Sequence, residues 1–213
     1  MIYKPPFPIF VISLARATAR REHIRSLFAR YSLDYTLVDA VDKLTLPQTV
    51  IDGIWDNNVA KMALHGRKLT VGEIACTMSH IKAWSMIQGM GLDYAFTMED
   101  DVRFDERFVK VISSELSVPD DCDVINFHTD CWQMGAPIPL TDGITVSKAD
   151  YVNRNTCLLV GKRGVNNLLE RSFPISAAAD DFVGHSHVGG CVTYIARPQI
   201  VCDTGSESEI GHR

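Results

Sequence analysis

The sequence of 213 residues contains no long hydrophobic run and no large excess of one charge. No stretch approaches the roughly 18 consecutive apolar residues that a membrane-spanning helix requires, so any membrane contact is expected to be peripheral. The formal net charge of -5, from 21 basic and 26 acidic residues, argues against a nucleic-acid partner. With 46% hydrophobic and 22% charged residues, the composition is typical of a globular protein, and we expect residues 1–213 to form a single domain.

Several common motifs are absent as well. The chain has neither a P-loop nor a GxGxxG fingerprint, which excludes the usual ATPase and dinucleotide-binding classes. Prolines within the first ten residues and the lack of a basic leader argue against a signal peptide. The cysteines form no CxxC pair, so we expect reduced thiols in a cytoplasmic protein. They are Cys76, Cys122, Cys131, Cys157, Cys191 and Cys202.

Apolar runs alternate with helical spacing in the first forty residues. Residues 9–12 are apolar and mostly β-branched, which predicts a buried strand. Apolar residues at 24, 27, 28 and 31 follow helical spacing, and a second short strand is predicted over residues 35–38. This order predicts an α/β fold with a Rossmann-like, mixed and mostly parallel sheet flanked by helices, in which ligands bind at the carboxyl ends of the strands.

A well-marked helix follows a long connection. Residues 43–69 show no clear period, which indicates a connection able to fold over a ligand. Thr70 and Glu73 have capping-box spacing and predict a helix that continues to about Gln88. Further strands are predicted at 94–98, 123–127, 157–160 and 191–196, with helices containing residues 104–112 and 164–171.

Three carboxylates, Glu99, Asp100 and Asp101, end the apolar segment 94–98. Like charges repel, so a hard divalent cation such as Mg²⁺ or Mn²⁺ would stabilise them. Alternation along an extended segment would place Glu99 and Asp101 on one side and Asp100 on the other, which makes Asp100 the one most suited to a structural role. The alternative interpretation is a solvated acidic turn that caps the following helix.

Several segments, in order, resemble glycosyltransferase family 25, the lipooligosaccharide galactosyltransferases related to collagen galactosyltransferases. The specific segments are residues 72–80 (GEIACTMSH) and 96–102 (FTMEDDV), and weaker ones are 11–14 (VISL) and 38–42 (VDAVD). The resemblance implies a GT-A-like single domain that binds a divalent metal and a nucleotide sugar. It also implies inverting transfer of a hexose, galactose from UDP-galactose by family habit, onto a lipooligosaccharide or other cell-surface glycan at the inner face of the cytoplasmic membrane.

The resemblance also implies roles for particular residues. Asp101 and Glu99 are expected to bind the metal, with Glu99 or Asp100 alternatively contacting the donor. The other expected donor-binding residues are Ser13, Leu14, Arg16, Arg20, Asp39, Ser79 and His80. Alternatives to donor binding stay open for these residues, because arginines on a helix are often exposed and a lone histidine is often structural.

The catalytic base is expected at Asp180 or Asp181, where the family places an acidic residue near the acceptor, with Asp180 matching slightly better. The alternative for this pair is a helix N-cap. His185, His187 and His212 are candidate additional metal ligands, and residues 205–210 are expected to cover the donor. Two other functions stay open: a non-catalytic carbohydrate-binding or adhesion module, and a metal-dependent phosphohydrolase.

Overall fold

The centre of the protein is an eight-stranded mixed sheet. The computed structural model describes residues 2–54, 66–131 and 135–205, apart from the side chains of Tyr3 and Ile54. The strands of this part of the chain are β1 Ile2–Tyr3, β2 Ile9–Ser13, β3 Thr36–Asp39, β4 Tyr94–Glu99, β5 Val102–Phe104, β6 Leu116–Ser117, β7 Val124–Asn126, β8 Ile138–Thr141, β9 Ile144–Ala149, β10 Cys157–Gly161, β11 Thr193–Arg197 and β12 Val201–Asp203.

The large sheet has the strand order β3-β2-β4-β10-β7-β11-β9-β8, and two small sheets pair β1 with β6 and β5 with β12. Six of the eight strands in the large sheet run in one direction, whereas β9 and β10 run in the opposite one. The mixed α/β fold predicted from the sequence is confirmed. Strands β3, β2 and β4 are parallel neighbours, so their carboxyl ends meet at one edge.

Helices cover both faces of this sheet. They are α1 Thr18–Arg30, α2 Gln48–Ile54, α3 Val71–Gly89, α4 Glu106–Ile112, α5 Lys162–Arg171, α6 Ala179–Gly184 and α7 Ser186–Gly189. Strand β2 shows how the layers form. Ile9 and Val11 pack in the cluster that contains the apolar residues of α1 and α4, whereas Phe10 and Ile12 pack with those of α3 and α5. Alternate residues of a strand point to opposite faces, so a fully apolar strand requires cover on both.

Helix α3 begins with the predicted capping box. The Glu73 backbone N–H donates to Thr70 Oγ1 at 3.2 Å, and the Thr70 N–H donates to Glu73 Oε2 at 2.8 Å. These two bonds satisfy groups that a helix N-terminus leaves unpaired. Most of α3 is buried because it packs between the sheet and helices α5 and α6. No helix in the described ranges is long and apolar enough to span a bilayer.

The structure differs from the sequence prediction directly after the acidic residues. Phe104, predicted on a helix, is the last residue of β5, where Val102 and Phe104 are buried and Arg103 is exposed. Helix α4 begins only after Asp105, whose carboxylate accepts from the Arg107 N–H at 2.9 Å. Apolar residues at this spacing are compatible with a strand as well as with a helix, so periodicity alone does not distinguish the two.

Candidate functional site

A cavity of about 490 Å³ lies at the carboxyl edge of β3, β2 and β4. Residues 12–14 and 40–43 border it after β2 and β3, and helix α3 forms a wall. This is where an α/β sheet is expected to bind its ligand. Nine of the residues predicted for donor or metal binding line it: Ser13, Leu14, Arg16, Arg20, Ser79, His80, Glu99, Asp100 and Asp101.

All three acidic residues border the cavity, so the expectation that Asp100 faces away is wrong. Strand β4 ends at Glu99 and the chain turns at residues 100 and 101, so strand alternation does not continue. Arg20 of α1 lies between two of the carboxylates: its Nη1 is 2.8 Å from Asp100 Oδ1 and 3.6 Å from Asp101 Oδ2. Asp100, only 7% exposed, is therefore held by a charge-assisted hydrogen bond.

Asp101 is the carboxylate of this turn whose ionised form is disfavoured by its surroundings. Burial, followed by the negative charges of Glu99, Asp100 and Asp203, raises its pKa to about 6, although Arg20 opposes the shift. Its Oδ1 is buried and has no hydrogen-bond partner among the described residues. A buried acceptor without a partner is costly, so a cation beside Asp101 would stabilise this arrangement.

Cationic side chains border the same cavity. Arg16, Lys43 and Arg154 line it together with Arg20. The Arg16 Nε donates to Asp42 Oδ2 at 2.7 Å, which holds the loop after β3 against the loop after β2. A space bordered by both carboxylates and cations suits a ligand that carries phosphate groups and a metal ion.

Arg154 and Asp203 also line the cavity but were missed at the level of sequence. The Arg154 Nη1 donates to Asp203 Oδ2 at 2.5 Å, and its Nε donates to Asp130 Oδ2 at 2.7 Å. The Thr204 N–H donates to the Asp101 carbonyl at 2.8 Å, which fixes the end of β12 beside the acidic turn. Neither residue lies in a local motif, and the pairing of β12 with β5 that brings Asp203 here has no short-range signal.

Ser79 and Asp39 were both predicted to bind the donor, but only Ser79 lines the cavity. Ser79 Oγ donates to the Ala75 carbonyl at 2.7 Å and accepts from the Val41 N–H at 2.9 Å, so it fastens the loop of residues 40–43 to α3. Asp39 is not among the lining residues. Its side chain is 65% exposed and pairs with Arg21, which lowers the pKa of Asp39. A donor-binding role for Asp39 stays a prediction.

Asp180 and Asp181 lie in the first turn of α6, outside the cavity lining. The N-cap of this helix is Ala178, so the alternative interpretation of the pair as a helix N-cap is wrong, although carboxylates in a first turn interact favourably with the helix dipole. Asp180 interacts electrostatically with Arg154, and Asp181 does so with Arg67. The role of either as base stays a prediction.

Two of the predicted histidine ligands, His185 and His187, lie away from the acidic turn. His185 Nε2 is 3.9 Å from Asp181 Oδ1, and its ring centroid is 5.4 Å from that of His187. Neither histidine lines the cavity. Gly205 does line it, whereas His212 and residues 206–210 lie outside the described residues.

Comparison with known proteins identifies relatives that are similar in sequence to part of this chain. The chain is 32% identical over 170 residues to procollagen galactosyltransferase 1-A of Xenopus laevis, an alignment that covers 76% of this chain and 28% of that protein. It is 33% identical over 106 residues to the lipooligosaccharide biosynthesis protein lic2B of Haemophilus influenzae, covering 50% of this chain and 38% of that protein.

A third relative is named as lacking activity. The chain is 35% identical over 102 residues to the inactive glycosyltransferase 25 family member 3 of Homo sapiens, covering 47% of this chain and 17% of that protein. The chain thus spans less than two fifths of the length of each of these relatives. Residues 7–134 match the model of glycosyltransferase family 25 (LPS biosynthesis protein). The chain therefore belongs to glycosyltransferase family 25.

Proposed function

We propose that the chain is an inverting, metal-dependent glycosyltransferase that moves a hexose from a UDP-sugar to a hydroxyl group of a lipooligosaccharide or another cell-surface glycan. The observation that carries this proposal is the cavity at the strand ends, where an acidic turn and cationic side chains border one space. Galactose is the proposed sugar because one relative is named as a procollagen galactosyltransferase, and the glycan acceptor is proposed because another is named as a lipooligosaccharide biosynthesis protein. The proposed place of action is the cytoplasmic face of the membrane.

Mn²⁺ or Mg²⁺ fits the acidic turn. Asp101 has a buried oxygen without a partner in the described structure and a pKa raised by burial and by neighbouring carboxylates, so an added cation relieves both costs. Hard divalent cations prefer carboxylate oxygens. We assign Asp101 and Glu99 as the protein ligands. When bound there, the ion supplies charge neutralisation for the departing diphosphate.

The remaining side chains have distinct proposed tasks. The guanidinium of Arg16 and the ammonium of Lys43 border the cavity and can pair with phosphate oxygens. Arg20 already donates a hydrogen bond to Asp100, so it orients the acidic turn in addition to any contact with the substrate. Ser13 and Leu14 lie at the end of β2, where they can contact the nucleoside.

Asp180 is the proposed general base. A base in an inverting transferase removes the proton from the acceptor hydroxyl while its oxygen attacks the anomeric carbon on the face opposite the diphosphate, so no covalent enzyme intermediate is needed. The electrostatic interaction of Asp180 with the cavity residue Arg154 supports this choice. Asp181 is 8% exposed and is the less accessible of the pair.

A panel of donors tests the proposal. Thermal unfolding and sugar-nucleotide hydrolysis are measured with UDP-galactose, UDP-glucose and UDP-N-acetyl sugars, each with and without Mn²⁺. A donor at 100 times its Kd stabilises the protein by about 2.7 kcal/mol, or about 5–10 °C in Tm. We expect the largest shift with UDP-galactose and Mn²⁺. No shift with any UDP-sugar would refute the proposal.

The variant Asp101→Asn tests the metal assignment. It removes one charged metal ligand at nearly constant volume, and we expect Mn²⁺-dependent hydrolysis to fall at least a hundredfold, because the charge on the leaving diphosphate is no longer neutralised. Asp34→Asn, at an exposed position outside the cavity, serves as the control and should keep full activity. Unchanged hydrolysis in Asp101→Asn would show that the metal lies elsewhere.

A non-catalytic sugar-binding module is the second candidate, because one relative is named as inactive. Such a module would be stabilised by a UDP-sugar or a glycan without turning either over. Hydrolysis or transfer above the rate measured without protein distinguishes the enzyme from the module.

A further inference from the structure

A second set of metal-ligand side chains lies on the wall of the cavity. Cys76 and His80 are one turn apart on α3, and Glu99 faces them from the end of β4. One ligand atom from each residue lies within 4.8 Å of the other two, and all three residues line the cavity. Thiolate, imidazole and carboxylate together favour Zn²⁺ and similar ions, whereas Mg²⁺ and Mn²⁺ prefer oxygen ligands alone.

The distance between the imidazole and carboxylate atoms matches two ligands of one tetrahedral ion. His80 Nε2 lies 3.4 Å from Glu99 Oε1. Two ligands that are each about 2.0–2.1 Å from a tetrahedral zinc ion lie about 3.3 Å apart. The four-residue spacing of Cys76 and His80 places both on one face of α3, and the thiol lies within 4.8 Å of the other two ligand atoms. Three protein ligands leave the fourth position open toward the cavity.

The surroundings of His80 are compatible with a ligand role. The residue is 1% exposed, and its Nδ1 has no hydrogen-bond partner among the described residues. Its ring packs against Trp84, with 5.8 Å between the ring centroids, so the imidazole is held in position by an apolar neighbour. Binding of an ion at Nε2 places the imidazole proton on Nδ1, and the ion then takes the place of the proton between Nε2 and Glu99 Oε1.

We propose that Cys76, His80 and Glu99 bind a Zn²⁺-type ion at a site beside the Mn²⁺ or Mg²⁺ site of the proposed function. The Cys76 thiol loses its proton to solvent as the sulfur–metal bond forms, and the ion stays divalent. Zn²⁺ binds such ligands more tightly than Mn²⁺ does. Because Glu99 belongs to both sites, zinc at this position competes with the donor-binding metal and inhibits transfer; only this inhibition rests on the proposed function.

Cobalt(II) binding to the full chain tests the site without any activity measurement. Co²⁺ in a site with a thiolate ligand gives visible d–d bands and a near-ultraviolet thiolate-to-cobalt band. We expect one equivalent of Co²⁺ to produce both in the wild type and Zn²⁺ to abolish them. Cys76→Ser should lose the thiolate band, and His80→Ala should bind Co²⁺ at least tenfold more weakly.

Cys131→Ser is the matched control, because Cys131 is another partly exposed thiol and does not line the cavity. It should keep the wild-type cobalt spectrum. Thermal unfolding of Cys76→Ser, which nearly preserves side-chain volume, verifies that the variant is folded. A thiolate band that persists in folded Cys76→Ser, or its absence from the wild type, would overturn the proposal.

A second measurement separates this site from the proposed function. Zn²⁺ is titrated into Mn²⁺-supported UDP-sugar hydrolysis, and each variant is normalised to its own rate without zinc. We expect half-inhibition of the wild type at a zinc concentration at least tenfold lower than for Cys76→Ser. Equal inhibition of both would contradict the competition. If the wild type hydrolyses no UDP-sugar, the proposed function fails while the cobalt spectrum still decides the site.

Discussion

At the scale of single residues, Arg20 decides whether the acidic turn is stable without a metal. It is the cation that bonds to Asp100 and approaches Asp101. Removing one partner of a fully buried pair costs about 3–5 kcal/mol. The Arg20 side chain is 18% exposed, so we expect Arg20→Met to lose about 2 kcal/mol, or about 4–8 °C in Tm, when unfolding is measured in EDTA.

The controls for Arg20→Met come from the same turn and the same helix. Arg25→Met removes an exposed arginine of α1 that pairs with Glu22, and we expect it to cost less than about 0.5 kcal/mol. Adding Asp100→Asn to Arg20→Met should restore part of the lost stability, because the buried charge is removed with its partner. Equal losses in Arg20→Met and Arg25→Met would show that the acidic turn does not depend on Arg20.

At the scale of elements, the start of α3 should make the protein sensitive to acid. Hydrogen bonds from Arg67, followed by the backbone N–H of Thr70, lower the pKa of Glu73 to about 2, and burial opposes this. A lowered pKa means that Glu73 contributes stability above about pH 4.5 and loses it as the pH falls toward 2. The Arg67 side chain is 40% exposed, so we expect a contribution of about 1 kcal/mol.

Urea unfolding between pH 2 and pH 7 checks this contribution. Glu73→Gln should be about 1 kcal/mol less stable than the wild type at pH 7, and the difference should shrink below about pH 4.5. Glu115→Gln is the control, because its 57% exposed side chain pairs only on the surface with Lys4. A difference that is constant over the whole range would mean that the Glu73 charge does not stabilise α3.

The elements predicted from the sequence are those with a strong local signal. Helix α3 has a capping box, α1 has an apolar stripe, and β4 is mostly apolar up to the acidic residues. Strands β8, β9 and β12 were not predicted. Strands β8 and β12 are short, and β8 contains Pro139 and an irregular register against β9, so neither length nor alternation marks these two strands.

At the scale of the whole molecule, the cavity is assembled from two parts of the chain, and only one of them carries recognisable sequence motifs. Residues that follow β2, β3 and β4 lie in contiguous motifs within the family match of residues 7–134. Arg154 and Asp203 lie beyond that match and meet the acidic turn through strand pairing and a long-range ion pair. Such pairings depend on tertiary structure, which explains why motif spacing predicted one part of the site and missed the other.

The proposed base, Asp180, interacts electrostatically with Arg154, one of the residues that long-range contacts bring to the cavity. We expect Asp180→Asn to lower transfer about 10²–10⁴-fold, the typical contribution of a general base. Its thermal shift with Mn²⁺ and UDP-galactose should equal that of the wild type, because the donor-binding residues stay intact. Asp181 is buried, with His185 nearby, so Asp181→Asn should lower Tm more than it lowers transfer.

The comparison between Asp180→Asn and Asp181→Asn provides the test, because both remove one charge from the first turn of α6. Both therefore lose a similar favourable interaction with the helix dipole, about 0.3–1 kcal/mol, so a difference in transfer between them does not arise from the dipole. Transfer to a glycan acceptor is measured for both at saturating donor. If Asp181→Asn loses transfer while Asp180→Asn retains it, the base is Asp181. Full activity in both variants would place the base outside α6.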